Sequence, residues 1–543
     1  MDRNDEGELF GLTLGSFLEK KAARNKDKVC IRYLHDGRTL SYGELEDQTS
    51  RLAAGLKDLG LGHGAHVAML SDNRPEQIVL YFALGKLGAV CVPLNTAARG
   101  SFLSYLLQQS DSTAILVEPE YLERLAEVAG ALPALETIIV LESVAPTGTA
   151  GRGAPDIALV RRVAFNDLMA RSADVIDDAR PSDLAQILYT SGTTGRSKGN
   201  MFGHTAILNW GRQVAGGHGL GEDDTYFVVF PLFHAGAWLS CVMAAMWVNG
   251  TVALGRGFSA SRFLDQVREC GATVAFVVSV AAFLSAQPES GTDRDHKLRK
   301  FVTAPPPPDP LAFERRFGVR LLAGFGLSDY GASHFRGLSA PPDKVGSCGT
   351  LCPGWEAKCV DDHGRTSPIG IPGEILLRCN IPGGAASGYY KMPQETLDSR
   401  KDLWFHTGDI GYIDNEGYLY FVDRKKDAIR RRGENISSIE MELILGLNAS
   451  VGASAFFPVK SEVTEDEVAV AVIPRAGHPL TEEDIAKYCE ANIPKFAVPR
   501  YVRIVDSFPM TASGKVQKVI LRQETEAMLP HVWDREGRPA PSP

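Results

Sequence analysis

Short apolar runs alternate with helical patterns along much of this chain, and this alternation limits its fold more strongly than any other feature. The run HVAMLS (His66–Ser71) precedes EQIVLYFALGKLGA, and the run VAFVVSV (Val274–Val280) precedes AAFLSAQ. A helix between two strands carries the chain back across the face of a sheet, so this pattern favours parallel strands. With 543 residues, the chain also exceeds what one core usually supports. The sequence therefore predicts an α/β protein of two or more domains, with largely parallel sheets covered by helices.

The composition of the sequence changes after about Asp423. A strongly charged run, RKKDAIRRRGENISSIEMELIL, leads into SAFFPVK, EVAVAVIPR, TEEDIAKYCEANIP and YVRIVDSF. We interpret the charged run as rich in helix, and the rest as a compact α+β module of about 110 residues. This interpretation places a domain boundary near Lys426, with one domain over residues 1–425 and a second over residues 426–543.

Charge and cysteine content exclude several classes of protein. The formal net charge of −9 argues against a general nucleic-acid surface. The densest basic cluster is Arg430–Arg432, for which contact with an anionic ligand and a solvated helix face both stay open. The nine cysteines lack paired spacing, and Cys348 and Cys352 lack a histidine-bearing partner motif for zinc. Reduced thiols in a cytoplasmic protein fit this pattern, as does the absence of an apolar signal segment from MDRNDEGELF.

A long uncharged stretch raises the question of a membrane span. Residues 225–255 contain no Asp, Glu, Lys or Arg, and Ala235–Leu254 approaches the length of a transmembrane helix. However, Asn249-Gly250 is a turn signal inside this stretch, and one of its flanks lacks basic residues. We therefore expect a buried helix followed by a buried strand, and no membrane span.

One loop concentrates small hydrogen-bond donors. Tyr189–Asn200 reads YTSGTTGRSKGN and follows the apolar run AQIL. Its hydroxyl groups, glycines and lysine suit the wrapping of a polyanion. The P-loop pattern requires G-x-x-x-x-G-K-[ST], whereas here Ser197 precedes Lys198 and Gly199 follows it. The loop is therefore predicted to hold phosphate in a different arrangement.

Four further motifs follow this loop along the chain. They are GFGLSD (Gly324–Asp329), WFHTGDIG (Trp404–Gly411), VDRKKDAIRRRGEN (Val422–Asn435) and MTASGKVQK (Met510–Lys518). Together with the loop, they resemble the adenylate-forming superfamily of acyl-CoA synthetases, firefly luciferases and peptide-synthetase adenylation domains. RRRGENISS and KFAVPRYVRIVDSFPMTASGKVQK are most similar to the crotonobetaine/carnitine-CoA ligase branch. The resemblance implies a large N-terminal domain of stacked mixed and parallel sheets with helices, and a small mobile α+β C-terminal domain.

The resemblance also implies a reaction in two halves. A carboxylate attacks the α-phosphate of Mg·ATP to give acyl-AMP and pyrophosphate, and the CoA thiol then displaces AMP. The implied ligands are ATP or AMP, CoA, Mg²⁺ and a small carboxylic acid or its acyl-adenylate. Lys198 is assigned by resemblance to the catalytic residues, together with Lys515 and Gly433. The residues that match nucleotide-binding positions are Thr190, Ser191, Gly192, Thr193, Thr194, Gly195, Gly324, Phe325, Gly326, Ser328, Asp409 and Arg424. Hydroxyls and glycine amides of the loop can solvate the departing pyrophosphate and still release it.

Five of the matched residues carry distinct roles by resemblance. Lys515 bridges the substrate carboxylate and the α-phosphate, where a flexible point charge eases the approach of two anions. Asp409 accepts both ribose hydroxyls, and Phe325 stacks on adenine. Gly433 lies along the pantetheine arm after the small domain has rotated about a hinge at Lys426. One active site then serves both halves of the reaction.

Specificity for the acid depends on the shape of its pocket. Three residues are candidates for its pocket: His234, Trp238 and Asn209. His234, in PLFHAGAW, matches a pocket position of the family, although a histidine in an apolar run is equally well explained as a satisfied core residue. The branch resemblance points to carnitine-like or medium acids, whereas small residues such as Gly236 and Ala237 leave room for bulkier ones.

The chain departs from the family pattern at several positions near the nucleotide and the metal. Family members usually carry a glutamate as Mg²⁺ ligand where this chain has the shorter Asp329, and a tyrosine at Phe325. The adenine-side segment TAPPPP (Thr303–Pro308) lacks the usual glycines, and the residue that follows Ser197-Lys198-Gly199 is the polar Asn200. Mg²⁺ demands near-ideal octahedral geometry, so a shorter carboxylate matters.

Several functions stay open on this evidence. The leading one is an ATP-dependent acid–CoA ligase that works by domain alternation. One alternative is a ligase impaired in adenylation that takes acyl-AMP from a partner enzyme. Another is an adenylating enzyme that passes the acyl group to a separate carrier protein, since no carrier domain follows Lys518. A regulatory protein without catalysis is disfavoured by Lys515, Asp409 and Lys198. A homodimer is left open as well.

Overall fold

The computed structural model of the chain describes most of its length. The described residues are 9–143, 160–172, 178–190, 197–259, 261–278, 281, 284–285, 287–304, 306–307, 309–425, 429–431, 434–460, 466–511 and 515–537.

Strands and helices are numbered along the chain. The strands are β1 (Val29–Tyr33), β2 (Thr39–Ser41), β3 (His66–Leu70), β4 (Val90–Pro93), β5 (Ala114–Val117), β6 (Thr137–Val140), β7 (Arg161–Ala164), β8 (Leu184–Tyr189), β9 (Gly199–Gly203), β10 (Thr225–Val228), β11 (Thr251–Leu254), β12 (Val274–Val278), β13 (Lys300–Ala304), β14 (Arg320–Leu327), β15 (Gly331–Arg336), β16 (Gly349–Leu351), β17 (Trp355–Val360), β18 (Gly373–Cys379), β19 (Arg400–Lys401), β20 (Trp404–Ile413), β21 (Tyr418–Arg424), β22 (Ile429–Arg431), β23 (Glu434–Ile436), β24 (Val451–Lys460), β25 (Asp466–Pro474), β26 (Tyr501–Ile504) and β27 (Trp533–Asp534). The helices are α1 (Leu14–Arg24), α2 (Tyr42–Asp58), α3 (Pro75–Leu87), α4 (Gly100–Gln109), α5 (Leu122–Ala129), α6 (Phe165–Met169), α7 (His204–Gly217), α8 (Ala235–Ala237), α9 (Met243–Trp247), α10 (Phe263–Cys270), α11 (Pro310–Phe317), α12 (Pro393–Asp398), α13 (Ser438–Gly446), α14 (Glu482–Asn492) and α15 (Lys518–Met528). Short helical turns of other types lie at Pro119–Tyr121, Trp238–Val242, Pro342–Lys344 and Leu529–His531.

The first large sheet has the strand order β7-β6-β5-β3-β4-β8-β9. Its strands pair in parallel, except for the antiparallel pair β8–β9. Every residue of β4 and β5 is buried, which is typical of parallel strands covered on both faces. Helix α3 is buried almost all round. It begins with Pro75 and ends at Gly88, whose φ of 65° permits the left-handed cap.

Fourteen described strands form the second large sheet, and β14 joins its two halves. One half, β2-β1-β11-β10-β12-β13-β14, is parallel apart from the pair β1–β2. The other half, from β14 to β17, is antiparallel. Strand β14 pairs with β13 through Arg320–Leu322 and with β15 through Ala323–Leu327. The hairpin β14–β15 therefore lies where the pairing direction changes.

A single large core connects the two sheets. It buries side chains from α1, α3, α7 and both sheets, including Phe17, Phe82 and Trp238. A smaller cluster lies on the other side of the first sheet and includes Leu103, Ile115 and Ile187. Helices thus cover sheets of short apolar strands, as the alternating pattern predicted. The α/β fold class, with a large sheet-rich N-terminal domain and a smaller C-terminal one, is confirmed.

The uncharged stretch folds as a buried helical segment followed by a buried strand, as expected. Helices α8 and α9 are joined by a π-helical turn at Trp238–Val242, and β11 follows. Asn249 adopts a φ of 58° in the turn between them, which is tolerated by asparagine better than by most residues. Within the described ranges, no helix is both long and apolar enough to cross a bilayer.

The C-terminal part has sheets of its own. Strands β24-β25-β26-β27 form a four-stranded sheet, and β22–β23 form a separate antiparallel pair. Helices α13 and α15 pack on β24, and α14 packs on β26, which gives the α+β module that the sequence indicated. The strands change sheet between Arg424 and Ile429. This change agrees with a boundary near Lys426, which lies outside the described residues and stays a prediction.

The charged run after Asp423 corrects one expectation. Ile429–Arg431 and Glu434–Ile436 are paired strands, and helix begins only at Ser438, so helix was wrong for this part of the run. Arg431 is 2% exposed, so a solvated helix face was wrong for this residue as well. Its guanidinium lies 2.6 Å from Glu467 Oε2. Strand β22 packs on β25, and the partner of Arg431 comes from that strand.

Candidate active site

The base of the predicted phosphate loop is a closed hairpin. Tyr189 at the end of β8 pairs with Gly199 at the start of β9, and the Thr190 N–H donates to the Lys198 carbonyl at 3.1 Å. The Tyr105 hydroxyl donates to the Ser197 carbonyl at 2.9 Å. Both ends of the loop are therefore fixed to the first sheet. The loop positions Ser191, Gly192, Thr193, Thr194 and Gly195 lie outside the described residues.

A second piece of chain, Ser387–Tyr390, lies along β9. The Met201 N–H donates to the Gly388 carbonyl at 2.9 Å, and the Tyr390 N–H donates to the Gly199 carbonyl at 2.8 Å. This pairing brings the Tyr389 ring beneath the Lys198 ammonium, which lies 4.6 Å from the ring centroid. An ammonium over an aromatic face is held by the ring quadrupole while its N–H groups stay available to an anion.

The end of β14 and the turn that follows it carry the GFGLSD motif. A Cβ atom at Gly326 would lie 2.8 Å from Ala332 Cα, and one at Gly324 would lie 2.9 Å from the Phe335 ring. Glycine is thus required because the two strands approach closely here. Phe325 is 6% exposed, and its ring centroid lies 6.3 Å from that of Phe421. Ser328 follows in the turn and is partly exposed.

Asp329 is held by two neutral donors. Asn200 Nδ2 donates to Asp329 Oδ1 at 3.2 Å, and the Tyr389 hydroxyl donates to Asp329 Oδ2 at 3.2 Å. Burial and the Asp329 carboxylate raise the pKa of Tyr389, so its hydroxyl stays a donor. Mg²⁺ in nucleotide sites is usually bound by one or two carboxylates together with substrate phosphates. The described residues contain no cluster of three or more metal-ligating side chains, and a single carboxylate at Asp329 fits this mode of binding.

Asp409 and Arg424 face each other on neighbouring strands. They are paired residues of β20 and β21, and Arg424 Nε lies 3.8 Å from Asp409 Oδ1. Asp409 is 6% exposed, and its backbone N–H donates to Thr407 Oγ1 at 3.0 Å. A carboxylate fixed in this way can accept hydrogen bonds from two vicinal hydroxyls. The geometry therefore suits the ribose role predicted for Asp409.

Lys515 stands within electrostatic range of residues from the N-terminal domain. Two hydrogen bonds close the turn that contains Lys515. The Thr511 N–H donates to the Lys515 carbonyl at 2.8 Å, and the Lys515 N–H donates to Thr511 Oγ1 at 3.0 Å. Lys515 retains exposed surface. Displacement of water by the surrounding protein lowers its pKa, Arg424 acts in the same direction, and Asp409 opposes them. The charges of Lys515, Arg424 and Asp409 are therefore close enough to act on one another.

His234 packs among aromatic side chains. Burial lowers its pKa to about 4, and the charge of Lys515 contributes, so the imidazole is neutral at neutral pH. Its ring stacks on Phe230 with centroids 5.1 Å apart, and Phe276 meets the edge of Phe230. The His234 Nε2 atom is buried and has no hydrogen-bond partner among the described residues. A Cβ atom at Gly236 would lie 3.1 Å from the Phe276 ring, so Gly236 packs closely against this ring and a side chain there would crowd it.

The other two pocket candidates are buried more deeply than His234. Trp238 has no exposed surface, stacks on Tyr81 at 4.2 Å between centroids, and donates to Gln186 Oε1 at 2.9 Å. Asn209 is 1% exposed and donates to the Gly384 carbonyl at 2.9 Å. These contacts place both residues in packed surroundings, and their assignment to the pocket stays a prediction. The hinge residue Lys426 and the loop residue Gly433 lie outside the described residues.

Sequence reasoning missed two members of the site. Tyr389 carries no recognisable signal, because its partners Lys198 and Asp329 are distant in sequence and meet it only through the pairing with β9. Asn200 had a signal, since a polar residue follows the loop where an apolar strand begins. However, its contact with Asp329 spans 129 positions of sequence and requires both sheets.

Comparisons with known proteins agree with this geometry. The family model for AMP-binding enzymes matches residues 18–390, and the model for the AMP-binding enzyme C-terminal domain matches residues 440–515. A crotonobetaine/carnitine–CoA ligase of Salmonella choleraesuis (strain SC-B67) is 31% identical over 495 residues, which are 89% of this chain and 93% of the relative. The chain therefore belongs to the AMP-binding enzyme family. The enzyme class expected from the sequence, an AMP-forming acid–CoA ligase with ATP, CoA and Mg²⁺ as cofactors, is confirmed.

Solved structures show the same fold. ATP-bound MatB from Rhodopseudomonas palustris has a TM-score of 0.83 and 26% identity, and the match covers 95% of this chain and all of that chain. An anthranilate CoA ligase, AuaEII, in complex with anthranoyl-AMP has a TM-score of 0.85 and 23% identity, covering 96% of this chain and 98% of that one.

Proposed function

We propose that this enzyme activates a carboxylic acid as its acyl-adenylate and transfers the acyl group to CoA, with the small domain changing position between the two halves. The observation that supports this most directly is the placement of Lys515. A residue of the C-terminal segment acts electrostatically on His234 and on Asp409 and Arg424 of the N-terminal domain. This is the arrangement in which the lysine can meet both the acid and the nucleotide.

In the first half, positive charge must be aimed at two anions that approach each other. The Lys515 ammonium is proposed to contact the substrate carboxylate and the α-phosphate together, while Asp409 holds the ribose. The Lys198 ammonium and the loop that it closes would receive the pyrophosphate. Mg²⁺, held by Asp329, would neutralise phosphate charge. Preorganised charge of this kind is worth on the order of a hundredfold or more in rate for each group.

In the second half, the site must admit the CoA thiol. Rotation about Lys426 is proposed to withdraw Lys515 and to bring Gly433 beside the pantetheine arm. A side chain at position 433 would then obstruct the thiol, so Gly433→Leu is expected to spare adenylation and to impair thioester formation. A lid-like movement of this kind separates the two chemical steps in time.

The acid pocket is proposed to begin at His234. Its wall is aromatic, through Phe230 and Phe276, and Gly236 packs closely against Phe276. Because the pKa of His234 is about 4, this residue offers a neutral hydrogen-bonding group and no charge to the acid. An acid with an apolar or aromatic body fits such a wall. A betaine such as carnitine, which is named in the relatives' activity, would bind through contact of its cationic group with the ring faces.

The test is mass-spectrometric detection of acyl-CoA from a panel of aromatic, medium-chain and betaine acids. One arm supplies the free acid with Mg·ATP and CoA, and the other supplies synthetic acyl-AMP with CoA. Acyl-CoA in both arms supports the proposal and identifies the acid. Product from acyl-AMP alone would replace it by a ligase that depends on a partner enzyme. Acyl-AMP without acyl-CoA would point to a carrier protein as acceptor.

We further propose a cytoplasmic location. All nine cysteines are free, and burial raises the pKa of the Cys30 and Cys352 thiols to about 12, which keeps them unreactive in a reducing compartment. Fractionation of the source cells tests this location. Light scattering of the purified enzyme tests the homodimer that the sequence leaves open.

A further inference from the structure

Two departures from the family pattern, Asn200 and Asp329, are in direct contact. Asn200 is the second residue of β9, and Asp329 lies in the turn between β14 and β15. Asn200 Nδ2 lies 3.2 Å from Asp329 Oδ1, and the Tyr389 hydroxyl lies 3.2 Å from Asp329 Oδ2. Each oxygen of the carboxylate therefore has one donor.

The orientation of the Asn200 amide is fixed by its neighbours. Asn200 has no exposed surface, and its Nδ2 also donates to the Leu188 carbonyl at 3.2 Å. Both partners are acceptors, a carbonyl and a carboxylate, so the NH₂ group must face them. The Oδ1 atom then has no hydrogen-bond partner among the described residues. Burial of an unsatisfied polar atom is costly, and an apolar residue at this position would avoid the cost.

The two donors are also fixed relative to each other. Asn200 and Tyr389 form an antiparallel bridge, with the hydrogen bonds of Met201 and Tyr390 on either side of it. Paired residues of this kind place their side chains side by side. Both donors are neutral, so they orient the Asp329 carboxylate without cancelling its charge. A carboxylate has about four lone-pair sites, and two single hydrogen bonds leave sites on both oxygens for a cation.

We propose that Asn200 and Tyr389 are positioning residues for the metal ligand Asp329, and that Asn200 compensates for the carboxylate being shorter than the usual glutamate. This inference rests on the proposed function, because it assumes that the site takes Mg·ATP. It also explains why two departures occur together. A shorter carboxylate reaches the metal only if its direction is held, and the amide holds it from the strand that begins at the phosphate loop.

The experiment measures how Mg²⁺ strengthens the binding of a non-hydrolysable ATP analogue. Calorimetric titrations with and without Mg²⁺ are run on the full-length enzyme and on Asn200→Val, Tyr389→Phe, Asp329→Glu and the double variant Asn200→Val/Asp329→Glu. Loss of one hydrogen bond to a charged group is expected to reduce the Mg²⁺-dependent gain in affinity by about tenfold in Asn200→Val. Binding without Mg²⁺ should change by less than about twofold, and Tyr389→Phe, which keeps the ring under Lys198, should behave like Asn200→Val.

The double variant separates positioning from folding. In the Asp329→Glu background, Asn200→Val is expected to cost little Mg²⁺-dependent affinity, because a longer carboxylate does not need the amide. An equal loss of affinity with and without Mg²⁺ in Asn200→Val would overturn the proposal. So would an undiminished effect of Asn200→Val in the double variant. Asn492→Ala, in the exposed last turn of α14, serves as the control substitution.

The binding readout keeps this inference distinct from the proposed function. If no acid of the panel yields acyl-AMP, the ligase proposal fails, yet the Mg²⁺-dependent binding of the nucleotide still tests Asn200. If the ligase is active, the Mg²⁺ concentration for half-maximal pyrophosphate release should rise about tenfold in Asn200→Val. Thioester formation from supplied acyl-AMP should stay unchanged in the same sample.

Discussion

The carboxylate of Asp423 accepts a 2.7 Å hydrogen bond from the backbone N–H of Ser438. It therefore links the last strand of the N-terminal domain to the first helix of the C-terminal module. The Ser437 hydroxyl adds a second link of 2.6 Å to the Val422 carbonyl. In the sequence, the predicted hinge Lys426 lies between the two acceptor residues and the two donor residues of these bonds. Both bonds thus belong to the domain orientation in which Lys515 acts on Asp409.

Removal of the Asp423 carboxylate should weaken this orientation. Asp423 is 3% exposed, and a hydrogen bond to a buried charged group contributes about 1.5–3 kcal/mol. For Asp423→Ala we expect pyrophosphate release to slow by about tenfold or more, with thioester formation from acyl-AMP at least as fast as in the parent enzyme. Stopped-flow assays of both half-reactions on one preparation measure the ratio of their rates. This ratio does not depend on the fraction of the enzyme that is folded.

A second helix cap provides the matched control for Asp423. Asp309 accepts a 2.8 Å hydrogen bond from the Ala312 N–H at the start of α11, far from the hinge in sequence. Asp309→Ala should lower stability slightly and leave the ratio of the two half-reactions unchanged. A matching change of the ratio in both variants would show that Asp423 acts through general stability alone.

Substitution of Lys515 should separate the two halves most sharply. Lys515→Ala removes the ammonium that acts on His234 and on Asp409. Adenylation is expected to fall by at least about a hundredfold, while thioester formation from supplied acyl-AMP persists. Pyrophosphate release and acyl-CoA formation are measured separately, with Lys495→Ala, an exposed lysine, as control. Equal loss of both halves would contradict the assignment.

Arg431 should contribute to stability rather than to ligand binding. Its guanidinium donates to the Phe496 and Val498 carbonyls at 3.3 and 3.2 Å and pairs with Glu467. Arg431→Met leaves a buried carboxylate without this partner, which typically costs about 3–5 kcal/mol. Hydrogen exchange of β24 and β25 should rise accordingly. Arg365→Met removes the exposed pair with Asp361 and should leave exchange unchanged.

His204 should make stability fall in mild acid. Burial lowers its pKa from 6.5 to about 4, although Asp183 opposes the effect, and its Nδ1 accepts the Leu14 N–H at 3.0 Å. The folded protein therefore binds fewer protons than the unfolded chain between these values, so this stabilisation is complete above pH 6.5 and is lost towards pH 4. Each pKa unit corresponds to about 1.4 kcal/mol, so the fall of the His204 pKa from 6.5 to about 4 amounts to about 3.5 kcal/mol.

The measurement for His204 is the urea midpoint at a series of pH values. His204→Asn retains an acceptor and does not titrate, so the fall of the midpoint between pH 6.5 and 4 should be shallower than in the parent enzyme. His363→Asn, which changes an exposed imidazole, should leave the slope as it is. An unchanged slope in His204→Asn would show that other groups account for the acid sensitivity.

Local sequence patterns predicted much of the fold. The apolar runs at β3 and β12, the helix at α3 and the turn at Asn249 could all be predicted, because strand and helix periodicity and turn chemistry depend on neighbours in sequence. Arg431 could not be placed, because its burial depends on Glu467 from another strand. The contact of Asn200 with Asp329 likewise needs two sheets to meet. Trp238 illustrates the same limit, since a buried aromatic next to His234 looks identical in sequence whether it faces the core or the acid.

The pairing of Ser387–Tyr390 with β9 has a consequence for synthesis of the enzyme on the ribosome. The phosphate loop opens from β8 and β9, yet its lysine rests on Tyr389, which is translated about 190 residues later. A nascent chain that ends before this segment lacks the partner of Lys198 and one donor to Asp329. A nascent chain therefore gains both contacts only after Tyr389 has left the exit tunnel, when nearly the whole N-terminal domain is already free to fold.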